Sequence, residues 1–295
     1  MKTKTICLYA SLAIAAIFPL TQTFGVAKDG NSLVFLSDIH VGADKRCEFA
    51  RMMFATVVDE ILAMRPLPGN VIVFGDVAYA SGKGEDYDLS RPLFKKLEDA
   101  GIAVTIGMGN HDRRSEYAKR WPEAAARSLV PGRYVHLVET RHVDFLMLDT
   151  LQGLDERPSA DEGPQGGALS KEEQVFLQSF LAGRRKPVIV CAHHPSSDLW
   201  CCGSRFDEFL RTLPMVAGYI NGHFHRWWLK SEREICLPSA ASWGDVGYAL
   251  CRCHPDRVEI ESILKGFSIP TLAGNPLMTS AHPGERNAIF TLKHQ

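Results

Sequence analysis

The sequence predicts an α/β sandwich folded as one domain, and two patterns carry that reading. The first is a set of short, nearly continuous apolar runs: "SLVFLSD" (Ser32–Asp38), "NVIVFGD" (Asn70–Asp76), "AVTIGMGN" (Ala103–Asn110) and "PVIVCAHH" (Pro187–His194). Runs this short, rich in β-branched residues and without polar alternation, fit strands covered on both faces. The second is helical periodicity between the runs, over Lys45–Met64, Glu85–Ala100 and Ser170–Ala182. Ser170 stands three residues before Glu173, the spacing of a capping box, which marks where the last of these helices starts. Further along, "YVHLVETRHVDFLMLDT" reads as a hairpin, and Ile235 to Ile263 supplies strands with alternating faces. Gly153 to Gly167 is rich in Gly, Pro, Asp and Glu and reads as a long surface loop.

Composition sets outer bounds. With 45% hydrophobic and 23% charged residues among 295, the chain is of ordinary globular type and long enough to bury a core unaided. Lys plus Arg number 33 against 34 Asp plus Glu, a net charge of -1, with no block of like charge. That argues against a nucleic-acid footprint or a polybasic membrane patch. The N-terminus differs: Lys2 and Lys4 precede an apolar run from Ile6 to Leu20, and Gly25-Val26-Ala27 carries the small residues of a signal-peptidase site. The run is shorter than the roughly 20 residues a bilayer crossing needs. Residues 1–27 are therefore expected to be a cleaved signal peptide, giving a secreted or periplasmic protein without a membrane span. Cys7 would leave with that segment. The remaining Cys47, Cys191, Cys201, Cys202, Cys236, Cys251 and Cys253 are odd in number, so at least one thiol stays unpaired in a monomer.

The chemistry sits where the apolar runs stop. The first ends in Ser37-Asp38-Ile39-His40, the second in Gly75-Asp76, and the third in Gly109-Asn110-His111-Asp112. A fourth ends in Ala192-His193-His194-Pro195 and a fifth in Gly222-His223-Phe224-His225. Taken singly these are weak signals, since Asp38 could cap a helix, Gly-Asp is an ordinary turn and His-x-His suits a polar strand face. Taken together, in order and each closing a strand, they place about seven ligands at the carboxyl ends of one sheet system, where α/β folds bind. On a strand, His223 and His225 would aim both rings to one side. Two Asp, one Asn and four His without a thiolate suit Mn, Fe or Zn better than Ca or a copper–thiolate centre. Seven groups exceed one tetrahedral site and suit two metals sharing a carboxylate.

At these residues the chain resembles the calcineurin-like metallophosphoesterases, whose ordered signature stands here as "SDIH", "FGDVAY", "GNHD", "CAHHP" and "GHFH". The resemblance spans Leu33 to Lys265. It implies a four-layer α/β/β/α sandwich over residues 28–270, with 271–295 left as a C-terminal extension. It also implies two metal ions, one on Asp38, His40 and His225, the other on Asn110, His193 and His223, with Asp76 bridging. His193 is preferred to His194 because it stands two before Pro195. His111 resembles the family's histidine that contacts the scissile phosphate and protonates the leaving group. Tyr79 is expected to be a neighbour of the site, His40 filling the place that would otherwise call on it. Arg113 and Arg114 are candidates for gripping substrate, and Asp112 for capping the helix that follows.

The implied activity is hydrolysis of phosphate esters. Two cations roughly 3.5–4 Å apart clamp an in-line displacement and supply a bridging hydroxide near neutral pH. The Asp-x-His form of the first motif is similar to cyclic-nucleotide phosphodiesterases, which favours a diester. A broad phosphomonoesterase and a metal-ordered interaction module without turnover are the alternatives. The partner expected is a small-molecule phosphate ester, which Trp200, Trp227 or Trp228 could stack against.

Overall fold

A computed structural model describes residues 31–152, 166–269, 277–280 and 286–293. The N-terminal half runs β1 (Ser32–Leu36), α1 (Glu48–Ala63), β2 (Asn70–Val73), α2 (Gly84–Asp99) and β3 (Ala103–Ile106). Two short helices, α3 (Arg114–Arg120) and α4 (Pro122–Ala126), lead into the hairpin of β4 (His136–Glu139) and β5 (Asp144–Met147). Next come α5 (Lys171–Ala182), β6 (Val188–Cys191), a small hairpin of β7 (Trp200–Cys201) and β8 (Ser204–Arg205), α6 (Phe206–Arg211) and β9 (Val216–Asn221). The chain closes with β10 (Trp228–Ser231), β11 (Glu234–Cys236), β12 (Gly244–Cys253), β13 (Arg257–Ile269), β14 (Leu277–Thr279) and β15 (Asn287–Thr291).

These strands form two large mixed sheets, ordered β14-β13-β12-β1-β2-β3 and β10-β11-β9-β6-β5-β4, with β15 also on β13. The apolar runs explain the layering. Along β1, Leu33 and Phe35 pack into the space between the sheets with Phe145, Ile189 and Ile220. Val34 and Leu36 turn the other way, onto Phe54 and Val58 of α1 and Phe94 of α2. In the second sheet, Leu146 and Val190 back onto Leu177 and Leu181 of α5. Leu33 to Leu36 of β1 and Val188 to Cys191 of β6 are thus apolar throughout because both faces are covered, each buried Leu, Ile or Phe contributing about 1.5–3 kcal/mol. The four-layer sandwich expected from the resemblance is the one present.

The capping box at α5 is complete: Ser170 accepts from the Glu173 amide, and the Glu173 carboxylate accepts from the Ser170 amide. Residues 1–27, expected to be a signal peptide, and most of the Gly153–Gly167 stretch lie outside the described residues. Among the described residues no helix is long and apolar enough to cross a membrane, and no cysteine is bonded to another. The C-terminal extension differs from a loose tail. Within it β14 and β15 both pair antiparallel with β13, and Ala288 and Phe290 of β15 are buried while Asn287, Ile289 and Thr291 are exposed. That period-two pattern spans only five residues, too short to stand out in the sequence.

Candidate metal centre

The strand ends of both sheets converge. β1 delivers Asp38 and His40, β2 Asp76, β3 Asn110 and His111, while from the second sheet β6 delivers His193 and β9 His223 and His225. The backbone turns sharply at the exits of β1, β2 and β9, where Asp38, His40, Asp76, His223 and His225 all have φ between 51° and 73°. A residue with a Cβ in this left-handed region costs about 1–2 kcal/mol. Strain of this kind concentrates where a site demands it. The His-x-His pair is accordingly not on a strand, as its alternation suggested. β9 stops at Asn221, and both histidines lie in the turn beyond, each ring aimed by its own reversal of the chain.

Two buried groups of ligand atoms result. In one, His225 Nε2 lies 3.2 Å from Asp38 Oδ1 and 3.1 Å from His40 Nε2. In the other, Asn110 Oδ1 is 2.9 Å from both His193 Nε2 and His223 Nδ1, and the two ring nitrogens are 3.3 Å apart. Asp76 Oδ2 reaches into both, 3.2 Å from His193 Nε2 and 3.6 Å from His40 Nε2. Two atoms held at about 2.1 Å from one cation, at tetrahedral or octahedral angles, stand roughly 3.0–3.5 Å apart. The spacing therefore fits chelation.

The donor chemistry fits as well. His193 Nδ1 donates to the Phe74 carbonyl at 2.8 Å and His225 Nδ1 to the Trp243 carbonyl at 3.0 Å, since a carbonyl can only accept. Each bond leaves the lone pair on Nε2, facing the centre, as ligand histidines require. Asp38 Oδ1 and Asn110 Nδ2 are buried without a hydrogen-bond partner. Burial opposes ionisation of Asp38 and Asp76, yet His225 beside the first and His193 beside the second hold both carboxyls below the ordinary range. Burial drops His40 to about 3, a neutral ring, whereas His193 rises to about 9 because Asp76 outweighs its burial. Two buried carboxylates thus call for positive charge, which a proton on His193 meets only in part.

His194, the fallback ligand, is held elsewhere: its Nδ1 pairs with Thr150 Oγ1 at 2.9 Å. The ring still lies close enough to His193 and His223 to complete a third group of ligand type. His111 is half-buried, its amide donating to Asp76 Oδ1 at 2.7 Å and its Nδ1 to the Ala80 carbonyl at 2.7 Å. Its ring packs edge-on to His40 at 4.9 Å. Tyr79 lies under the Arg46 guanidinium.

Two expectations need correcting. Arg114 is buried and bidentate to Asp149, both bonds at 2.7 Å, with a third to the Leu151 carbonyl. A guanidinium so committed cannot grip a substrate; it ties α3 to the end of β5. Arg113 stays partly exposed at the N-cap of α3. Asp112 does not cap that helix. Its carboxylate instead accepts from the amides of Val77, Ala78 and Gly109 and from the Tyr87 hydroxyl, binding the Gly-Asp turn to the Gly-Asn-His-Asp turn. The same two turns touch at Gly109, where a Cβ would collide with Asp76 Oδ1. Asp112→Asn replaces one of two accepting oxygens by a donor facing donors. Metal affinity should fall about 10- to 100-fold with the fold retained, measured by metal titration alongside thermal unfolding; an unchanged affinity would show that Asp112 positions nothing.

A cavity of about 290 Å³ lined by Asn70, Tyr117, Trp121 and His136 shares no residue with this centre.

A mixed two-sheet sandwich with Asp, Asn and His gathered at its strand ends defines a metal-binding hydrolase fold of phosphoesterase type. The family model for the calcineurin-like phosphoesterases matches residues 32–227, and the chain belongs to that family. No curated protein matches it. Among solved structures, PhoD is similar with a TM-score of 0.51 at 12% identity, over 85% of this chain and 68% of PhoD. GAP50, the anchor in the inner membrane complex of Plasmodium, gives 0.46 at 13% identity, over 90% and 89% of the two chains. Vps29 of Chaetomium thermophilum gives 0.40 at 9% identity, over 89% and 100%. At 12% identity the likeness to PhoD is one of fold alone.

Proposed function

We propose that this protein hydrolyses phosphate esters, diesters ahead of monoesters, with two metal ions (Mn, Fe or Zn) held at the strand ends. One would rest on Asp38, His40 and His225, the other on Asn110, His193 and His223, with Asp76 shared. The observation that supports this most is the placement of Asp76: its Oδ2 approaches a histidine of each group while its Oδ1 accepts from the His111 amide.

Bound there, a metal pair would supply Lewis acidity to the phosphoryl group and acidify a water. The chain's own residues do the rest. Asp76 sets the distance between the two groups of ligands and fixes the main chain of His111. The Ala80 carbonyl holds the His111 ring by Nδ1, so that Nε2 is the nitrogen that hands a proton to the departing oxygen. Phe74 and Trp243 hold His193 and His225 in one tautomer. Nothing in this sequence of roles needs Arg114.

The N-terminal segment is read as an export signal, and the protein recovered outside the cytoplasm should begin near Lys28; N-terminal sequencing checks this, and an intact Met1 would overturn it. For the activity, release of nitrophenolate from bis-p-nitrophenyl phosphate and p-nitrophenyl phosphate is measured with Mn and with EDTA. Metal-dependent release, faster from the diester, is expected. Bound metal without release from either ester would favour an interaction module.

A further inference from the structure

Beside each histidine group stands an exposed aromatic side chain. Trp243, in the loop before β12, stacks on His40 with ring centroids 4.7 Å apart and planes 27° apart, and lies 4.4 Å from the His225 ring. Phe224, between the two histidines of the last turn, lies 5.3 Å from His223 and 6.4 Å from Trp228. Trp243 is 37% exposed, Phe224 45% and Trp228 45%. The ordinary account of an aromatic near a site is packing, and Trp227 meets it, tucked partly against the core between the sheets. The other three do not meet it. They leave large apolar area in water at the rim of the centre, an arrangement that marks a binding surface.

We infer that Trp243 and the Phe224–Trp228 pair are specificity residues, selecting phosphodiesters whose two organic substituents are both aromatic or strongly apolar. The inference rests on the phosphoesterase reading of the centre. A diester carries two organic groups, one that leaves and one that stays. His111 packs against the face of the centre formed by His40, the same ring on which Trp243 stacks. With Trp243 and His111 both against the His40 ring, the leaving substituent is assigned to the Trp243 side. The substituent that stays falls to the other group, where Phe224 borders His223 and Trp228 lies beside Phe224. A monoester has one organic group and a second negative charge, so an apolar wall on its far side offers it nothing. Arg226, exposed in the same turn, is the cation such a dianion would call on.

The test uses the full chain loaded with Mn and two diesters with the same leaving group, phenyl p-nitrophenyl phosphate and methyl p-nitrophenyl phosphate. The phenyl ester should be favoured by about 3- to 10-fold, the range of one aromatic contact, through KM more than kcat. In the double variant Phe224→Ala/Trp228→Ala that ratio should collapse to about one. Trp243→Leu should raise KM for both esters when compared with the wild type at equal metal loading, and Trp243→Phe should restore it. Equal kcat/KM for the two esters in the wild type, or a ratio untouched by the double variant, overturns the proposal and leaves the phosphoesterase reading standing. If neither ester turns over, that reading fails, and calorimetry still decides the rim. Tighter binding of diphenyl than of dimethyl phosphate, lost in the double variant, supports it; equal binding overturns it.

Discussion

Asp76→Ala is expected to remove Mn-dependent ester hydrolysis by about a thousandfold or more, together with binding at both metal positions. The reason is geometric. Among the described residues Asp76 is the one carboxylate whose oxygen lies within 3.6 Å of a histidine from each group, so its loss weakens both at once. Alanine also forfeits the acceptor for the His111 amide and adopts the φ of 51° at a cost of about 1–2 kcal/mol. Asp76→Asn separates these effects. Asn tolerates the left-handed conformation and keeps an acceptor for the amide, but it brings no charge. Metal content by mass spectrometry, thermal unfolding and nitrophenolate release are read on both variants. If Asp76→Asn folds like the wild type and loses metal and turnover together, the shared carboxylate is established. Turnover above a tenth of wild type with both metals in place would sink the dinuclear proposal.

His111→Ala is the second large effect, and its pattern should differ. No group of ligand atoms in the centre depends on the His111 side chain in the assignment above, so metal content and melting temperature should change little. Turnover should fall about 100- to 10,000-fold, the range for a lost general acid. The loss should shrink as the leaving group improves, because a nitrophenolate needs protonation far less than an alkoxide. A series of diesters differing in leaving-group pKa therefore reads the role directly. A uniform loss across the series would make His111 a structural residue. Loss of metal would make it a ligand, which the His40, Asp76 and His111 atoms are close enough to allow.

Much of this centre was legible in the sequence, for a physical reason. A strand covered on both faces must be apolar throughout, so a polar residue at its end cannot be hidden as a packing choice. Asp38, Asp76, Asn110, His193 and His223 each stand where such a run leaves the core. What stayed illegible depends on three-dimensional partners. Arg114 looks like an exposed cation until Asp149 of a distant strand end is seen to hold it. Asp112 looks like a cap because a carboxylate before a helix commonly is one, yet two amides of the Gly-Asp turn, the Gly109 amide and the Tyr87 hydroxyl of α2 claim it. His223 and His225 have strand spacing but left-handed backbone, a conformation that an i, i+2 pattern does not encode. Trp243 and Phe224 are apolar, and a search for polar residues at strand ends passes over them.

The origin of the ligands has one more consequence. Asp38, His40, Asp76 and Asn110 belong to the first sheet, and His193, His223 and His225 to the second, so each group of ligands straddles the seam between the two. His40 and His225, nearly touching, are 185 residues apart in the chain. A cation bound there would act as a cross-brace, unable to seat until both halves have docked and then holding them together through ligation as well as through their apolar contact.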